Sequence, residues 1–169
     1  MKLDYAMASL EANAARIAAL VRGVGAEQAR QRPGPDSWSI IEVVNHLYDE
    51  EREDFRARIE AVLQRPNELP PPIDPVGWVM ARRYFERDLS ESLDNFLGER
   101  QASLAWLRDL EGANWEQPLH HPSIKLRAGD LLAAWVAHDI LHMRQLVELH
   151  YAATVIAAEP YSVDYAGDW

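Results

Sequence analysis

Two histidines four residues apart stand in the segment His138-Asp139-Ile140-Leu141-His142. Residues four apart on an α-helix differ by about 40° in azimuth, so both imidazoles point the same way. Leu131, Trp135, Gln145 and Leu149 share that face, while Asp130, Arg144 and Glu148 point away from it. A buried histidine needs partners for its ring nitrogens, and two side by side repel if both are protonated. A divalent metal removes both difficulties, because neutral imidazole is a ligand for zinc, nickel, copper and iron. The pair alone is as compatible with hydrogen-bonded core residues as with a metal site. A third ligand decides, and His46 is the candidate. It sits at the edge of the apolar stripe Val43, Val44 and Leu47, with Glu42, Glu50 and Glu53 close to its azimuth on the polar side. The alternative for His46 is a half-exposed ring paired with one of those glutamates.

Several neighbours have chemistry to offer. Glu50 or Glu53 is placed to accept a proton or hold a water, although both also read as solvated charges on a helix face. Asp139 occupies the place of the glutamate in a His-Glu-x-x-His helix, but it is one methylene shorter. It points about 80° off the midpoint of the two ligands, which favours an outer-shell or packing role. Gln145 lies about one turn past His142, where it can bond a ligand or substrate or make a buried polar contact. His120 and His121 lie in a loop before Pro122, a weaker link to the metal. His150 points about 80° away from His142 and reads as a surface residue.

Four long helices must position these residues. The first covers about Leu3 to Arg22, with Leu10, Ala14, Ile17, Leu20 and Val21 at helical spacing. The second opens at Ser39, where Ser39-Ile40-Ile41-Glu42 matches a capping box, and runs to about Gln64. Pro66 to Pro75 forces a long connection, because no helix continues through Pro70, Pro71 and Pro72. The third runs from about Arg83 to Leu110, and Gly112 to Arg127 is a loop. The fourth starts near Ala128 and reaches about Ala153. It is apolar nearly all round, with Val136, Ile140 and Val147 opposite the histidines, so it is central or covers a partner surface. The aromatic, acidic tail from Glu159 to Trp169 is expected to lie back over the bundle. Strand signals are weak throughout, and the fold class is all-α.

Composition bounds the rest. At 169 residues the chain fits one domain, residues 1–169, with a single core. It has no cysteine, which removes disulfides, thiolate ligands and a cysteine nucleophile. A formal net charge of −10 argues against nucleic acid. Asp4 and Glu11 interrupt the opening segment where a secretory signal would be apolar, and no membrane span is evident. The expected location is the cytoplasm.

The residues Trp38-Ser39-Ile40 and Asn45-His46-Leu47 in the second helix, then His138-Asp139-Ile140-Leu141-His142 and Gln145 in the fourth, resemble the DinB/YfiT-like superfamily. With the helices between them, the resemblance spans most of the chain. It implies an up-down-down-up four-helix bundle with a three-histidine site carrying nickel, zinc or a similar ion, held here by His46, His138 and His142. It also implies one of two activities. One is metal-dependent hydrolysis of a small-molecule substrate; the other is a transferase reaction using a low-molecular-weight thiol, which this cysteine-free chain would take from solution. A third reading, from a different class, is a non-catalytic homodimeric bundle, to which the tail from Tyr161 to Trp169 and the six tryptophans would contribute an interface.

Overall fold

The computed structural model describes residues 1–121 and 123–167. Helix α1, Leu3–Val21, buries Ala6, Leu10, Asn13, Ala14, Ile17, Ala18 and Val21, a stripe spaced three and four apart. Gly23 adopts φ of 82° and turns the chain into a short helix α2, Ala26–Arg30. Helix α3, Ile40–Asp49, starts at the expected capping box. Glu42 accepts both the Ser39 backbone N–H at 2.9 Å and its hydroxyl at 2.8 Å, and Arg32 pairs with the same carboxylate. The helix then widens into a π-helical turn, Glu50–Phe55, and continues as α4, Arg56–Gln64.

After the prolines comes a short helix α5, Pro75–Ala81, begun by Pro75 and capped by the Asp74 carboxylate on the Gly77 N–H at 2.9 Å. The third long helix starts later than its periodicity predicts. Arg83 takes a left-handed conformation with φ of 53°, Tyr84–Glu86 forms one 3₁₀ turn, and Asp88 caps α6, Leu89–Arg108. The last helix, α7, Ala128–Ala158, runs five residues beyond Ala153 because no breaker appears before Pro160. This extension carries Thr154–Ala157 into solvent and takes the tail with it. Tyr161 and Tyr165 are accordingly exposed rather than packed back on the bundle; Trp169 lies outside the described residues. Among the described residues there is no strand, only two isolated bridges, Pro118 to Arg127 and His121 to Ile124. No described helix is long and apolar enough to cross a membrane.

Two apolar clusters fix the topology. One joins Ala6 and Leu10 of α1, Ile59 and Val62 of α4, Leu104 and Leu107 of α6, and Leu131 to Val136 of α7. The other joins Ile17 and Val21, Ile40 to Leu47, Leu93 and Phe96, and Leu146 with Leu149. Going from the first cluster to the second, α1 and α7 run forward while α3–α4 and α6 run backward. The order is therefore up-down-down-up. Two consecutive helices pointing the same way oblige the chain to travel back along the bundle, about 30 Å for a helix of this length, and residues 65–88 make that journey.

Between the clusters lies a polar layer with one buried residue from each helix: Asn13, Glu51, Arg100 and Asp139. Arg100 donates to both oxygens of Asp139 at 2.8 Å, to Glu51 at 2.7 Å and to the Leu10 carbonyl at 2.7 Å. The Trp135 indole N–H donates to Glu51 at 2.9 Å. The three histidines lie at the same level.

Candidate metal centre

His46 is in the second turn of α3, and His138 and His142 are in adjacent turns of α7. The antiparallel run of these helices brings the rings together although 92 residues separate His46 from His138. Nε2 of His138 lies 3.2 Å from Nε2 of His46 and 3.1 Å from Nε2 of His142. The three ligand atoms all fall within 4.8 Å of one another. Aromatic walls seal the rings: Trp38 lies 4.8 Å from His46 and parallel to His142 at 6.5 Å, and Phe55 meets His138 edge-on at 5.1 Å. Phe55 is itself stacked on Trp135.

This donor set fits a divalent ion. Gln145 Oε1 is an acceptor only and lies 2.8 Å from His142 Nδ1, so that nitrogen carries the proton and Nε2 presents a bare lone pair. Three imidazole nitrogens packed together cannot all satisfy one another by hydrogen bonds, whereas nitrogens around a tetrahedral zinc at about 2.0–2.1 Å are roughly 3.3 Å apart. Burial, reinforced by the neighbouring imidazoles, pushes His46 down to about 2. Burial first, then His142 and the Arg100 guanidinium, push His138 down to about 3. Burial also lowers His142, against the opposing effect of its bond to Gln145. All three rings are neutral at physiological pH, the state a metal needs.

The carboxylates sit differently from their expected places. Glu53 is committed elsewhere: both its oxygens accept from Arg82 at 2.7 Å, and Arg52 adds a bond at 2.9 Å. The π turn is the reason. It holds about 4.4 residues, so each residue advances roughly 82° instead of 100°, and by Glu53 the side chain has swung about 50° from its α-helical azimuth. Glu50 is near the site, but behind it. Its Oε1 lies 3.8 Å from His46 Nδ1, the nitrogen facing away from the other rings, and neither atom has a hydrogen-bond partner among the described residues. Burial and the Asp54 carboxylate push Glu50 up to about 8, so it retains a proton at neutral pH and is poorly suited to act as a base.

Asp139 is fully buried and given over to Arg100, the packing role its azimuth predicts. His120 bonds Asn67 at 2.9 Å, and neither it nor His121 joins the three-ring group. His150 is not a surface residue: its Nε2 donates to the Leu20 carbonyl at 2.6 Å and its Nδ1 meets the Gln28 amide, tying α7 to α1 and α2. The buried pair Glu51 and Arg100 escaped the sequence reading, although a signal was present. Arg100 falls on the α6 stripe four residues from both Phe96 and Leu104, and Glu51 four from both Leu47 and Phe55. Phe55 and Trp38 likewise give no sign in sequence that they wall a site.

A cleft of about 540 Å³ opens beside His142, lined by Ser37, Trp38, Gln145 and Leu149 and, among its charged residues, Asp36 and Glu148. The fold and this three-histidine arrangement define a class. The DinB superfamily model matches residues 9–146, and the chain belongs to that family. Among solved structures it is similar to YfiT from Bacillus subtilis, described as a probable metal-dependent hydrolase with an unusual four-helix bundle topology. The identity is 22% and the TM-score 0.78, covering 90% of this chain and 88% of that one. No curated protein sequence matches.

Proposed function

We propose that this chain is a metal-dependent hydrolase acting on a small molecule, with His46, His138 and His142 as ligands. The observation that carries the reading is the convergence of three neutral imidazoles from two helices beside an open cleft. A zinc or nickel ion bound there would supply Lewis acidity at a coordination position the protein leaves open. The chain's own residues do the rest. Gln145 fixes the tautomer and plane of His142, and Glu50 stands where it can orient His46. Trp38 and Phe55 exclude water from the ring edges, so that the site is entered from the cleft.

A transferase using a low-molecular-weight thiol would share these ligands. The cleft speaks for the hydrolase. Its charged lining is acidic, Asp36 and Glu148, which suits a neutral or cationic substrate and disfavours a carboxylate-bearing thiol. The net charge of −10 supports a small-molecule substrate over nucleic acid. Elemental analysis of tag-free protein, followed by ester and amide hydrolysis assays with and without added thiol, tests the reading. The expected result is near one zinc or nickel per chain and turnover independent of thiol. Turnover that requires thiol refutes the hydrolase, and an unchanged metal content in His138→Ala refutes the site.

A further inference from the structure

On the hydrolase reading, we propose that Gln145 and Ser37 form a pair of donors that grips the carbonyl oxygen of an acyl substrate, an ester or an amide. The cleft beside His142 has two walls. One is a single face of α7, carrying His142, Gln145, Glu148, Leu149 and Ala152; the other is the segment before α3, with Ser37 and Trp38. At about 1.5 Å per residue the α7 wall runs roughly 15 Å from His142, room for a molecule of several bonds. Gln145 stands half-buried about one turn along that wall, and Ser37 is half-buried on the other.

The two ends of the Gln145 side chain have separate duties. Its Oε1 accepts from His142 Nδ1 at 2.8 Å, and a histidine that ligates through Nε2 must carry its proton on Nδ1. The amide cannot be reversed without losing that bond, so its NH2 group is turned away from the ring. That group has two N–H bonds and no hydrogen-bond partner among the described residues. The Ser37 hydroxyl has none among them either, although its backbone is fixed. The Ser37 N–H donates to the Gly34 carbonyl at 3.1 Å, and the α3 capping box begins two residues later. Donors that the fold does not use, held on both walls of one cleft beside a metal-ligating ring, suit an acceptor on a bound molecule. The charged side chains of the lining, Asp36 and Glu148, repel a carboxylate, so a neutral carbonyl oxygen is the acceptor that fits. Addition of a water oxygen to the carbonyl carbon moves the C=O π pair onto that oxygen. Collapse of the adduct returns the pair and expels an alcohol or amine, which takes up the proton the water gave away. Donors aimed at this oxygen hold the adduct more strongly than the substrate, so their loss falls on kcat rather than KM.

Binding of benzyl trifluoromethyl ketone to the zinc-loaded full-length protein, followed by fluorine NMR, reads the donors without turnover. The ketone is a neutral acyl mimic whose hydrate sets an oxygen where the adduct would have one. Ser37→Ala removes one donor with no change of charge. Gln145→Glu keeps an acceptor for His142 but exchanges both N–H bonds for an oxygen. Each variant is expected to bind the ketone about 10–100-fold more weakly, while chelator competition finds zinc held within about threefold of wild type or tighter. Ser37→Thr, which keeps a hydroxyl, should bind the ketone within about threefold of wild type. Wild-type protein that does not bind the ketone, or variants that bind it as well as wild type, would overturn the inference. So would a loss of ketone binding matched by an equal loss of zinc, since Gln145 would then act only through His142. Donor-dependent ketone binding in a protein that turns over no ester or amide leaves the donor pair standing and refutes the hydrolase reading alone.

Discussion

Replacing Arg100 by methionine removes the one cation from the polar layer at the middle of the bundle. Glu51 and Asp139 then remain buried and facing each other with no counter-charge, and the Leu10 carbonyl loses its donor. Breaking a buried pair in this way costs about 3–5 kcal/mol, because the orphaned charge keeps its full desolvation penalty. Two carboxylates share one guanidinium here, and burial already raises Glu51, so protonation of Glu51 offsets part of the loss. A cost of about 3–4 kcal/mol follows, a large share of the roughly 5–15 kcal/mol that holds a domain folded. Adding Glu51→Gln and Asp139→Leu to Arg100→Met removes the stranded charges while keeping an acceptor for the Trp135 indole. At least half of the loss should return. Urea denaturation at neutral pH, followed by far-UV circular dichroism, measures all three proteins. A loss below about 1 kcal/mol for Arg100→Met, or a triple variant no more stable than the single one, would show that this layer is not desolvated as described.

Three further outcomes are expected. Gln145→Leu deprives His142 of its Nδ1 acceptor and should weaken metal binding about 10–100-fold in a competition titration with a chromophoric chelator, with little change in helicity. Glu53→Gln should leave metal affinity within about threefold of wild type, since that carboxylate is held by Arg82 and Arg52 and not by the site. Metal-free protein should lose stability at both ends of the pH scale. His46 and His138 have folded values near 2 and 3, below the ordinary 6.5, so the unfolded chain takes up protons the fold refuses and stability falls as pH drops below about 6.5. Glu50 has the opposite sign. Its folded value near 8 is above the ordinary 4.5, so its contribution is full below 4.5 and disappears as pH rises through 8. Thermal melts of the metal-free protein from acid to alkaline pH should show both slopes, and Glu50→Gln should abolish only the alkaline one.

Much of the bundle was legible because its signals are local. The Ser39–Glu42 capping box, the proline run after Gln64 and the i, i+4 pair of His138 and His142 each act within a turn or two of helix. What escaped depends on geometry that a uniform period of 3.6 does not carry. The π turn at Glu50–Phe55 shifts the phase of half a helix, which moved Glu53 off the site and brought Phe55 inward. The left-handed Arg83 shortened α6 by six residues against its periodicity, since an arginine gives no sign of that conformation. The α6 stripe marks Arg100 as buried, but which partner it meets, Asp139, or which carbonyl His150 meets, Leu20, has no local signature.

The topology has a consequence for how the chain would acquire an ion at the three histidines. His138 and His142 are neighbours on one helix and can meet an ion as soon as that helix forms, but the third ring arrives only by closing a span of 92 residues. Closing a loop of that length costs on the order of 3 kcal/mol more than closing one of four, a cost that is met only once the flanking helices have docked. A tightly held ion would thus mark a finished chain. Nascent or truncated copies would hold it weakly, and the choice of ion would rest with whatever the cell offers at the end of folding.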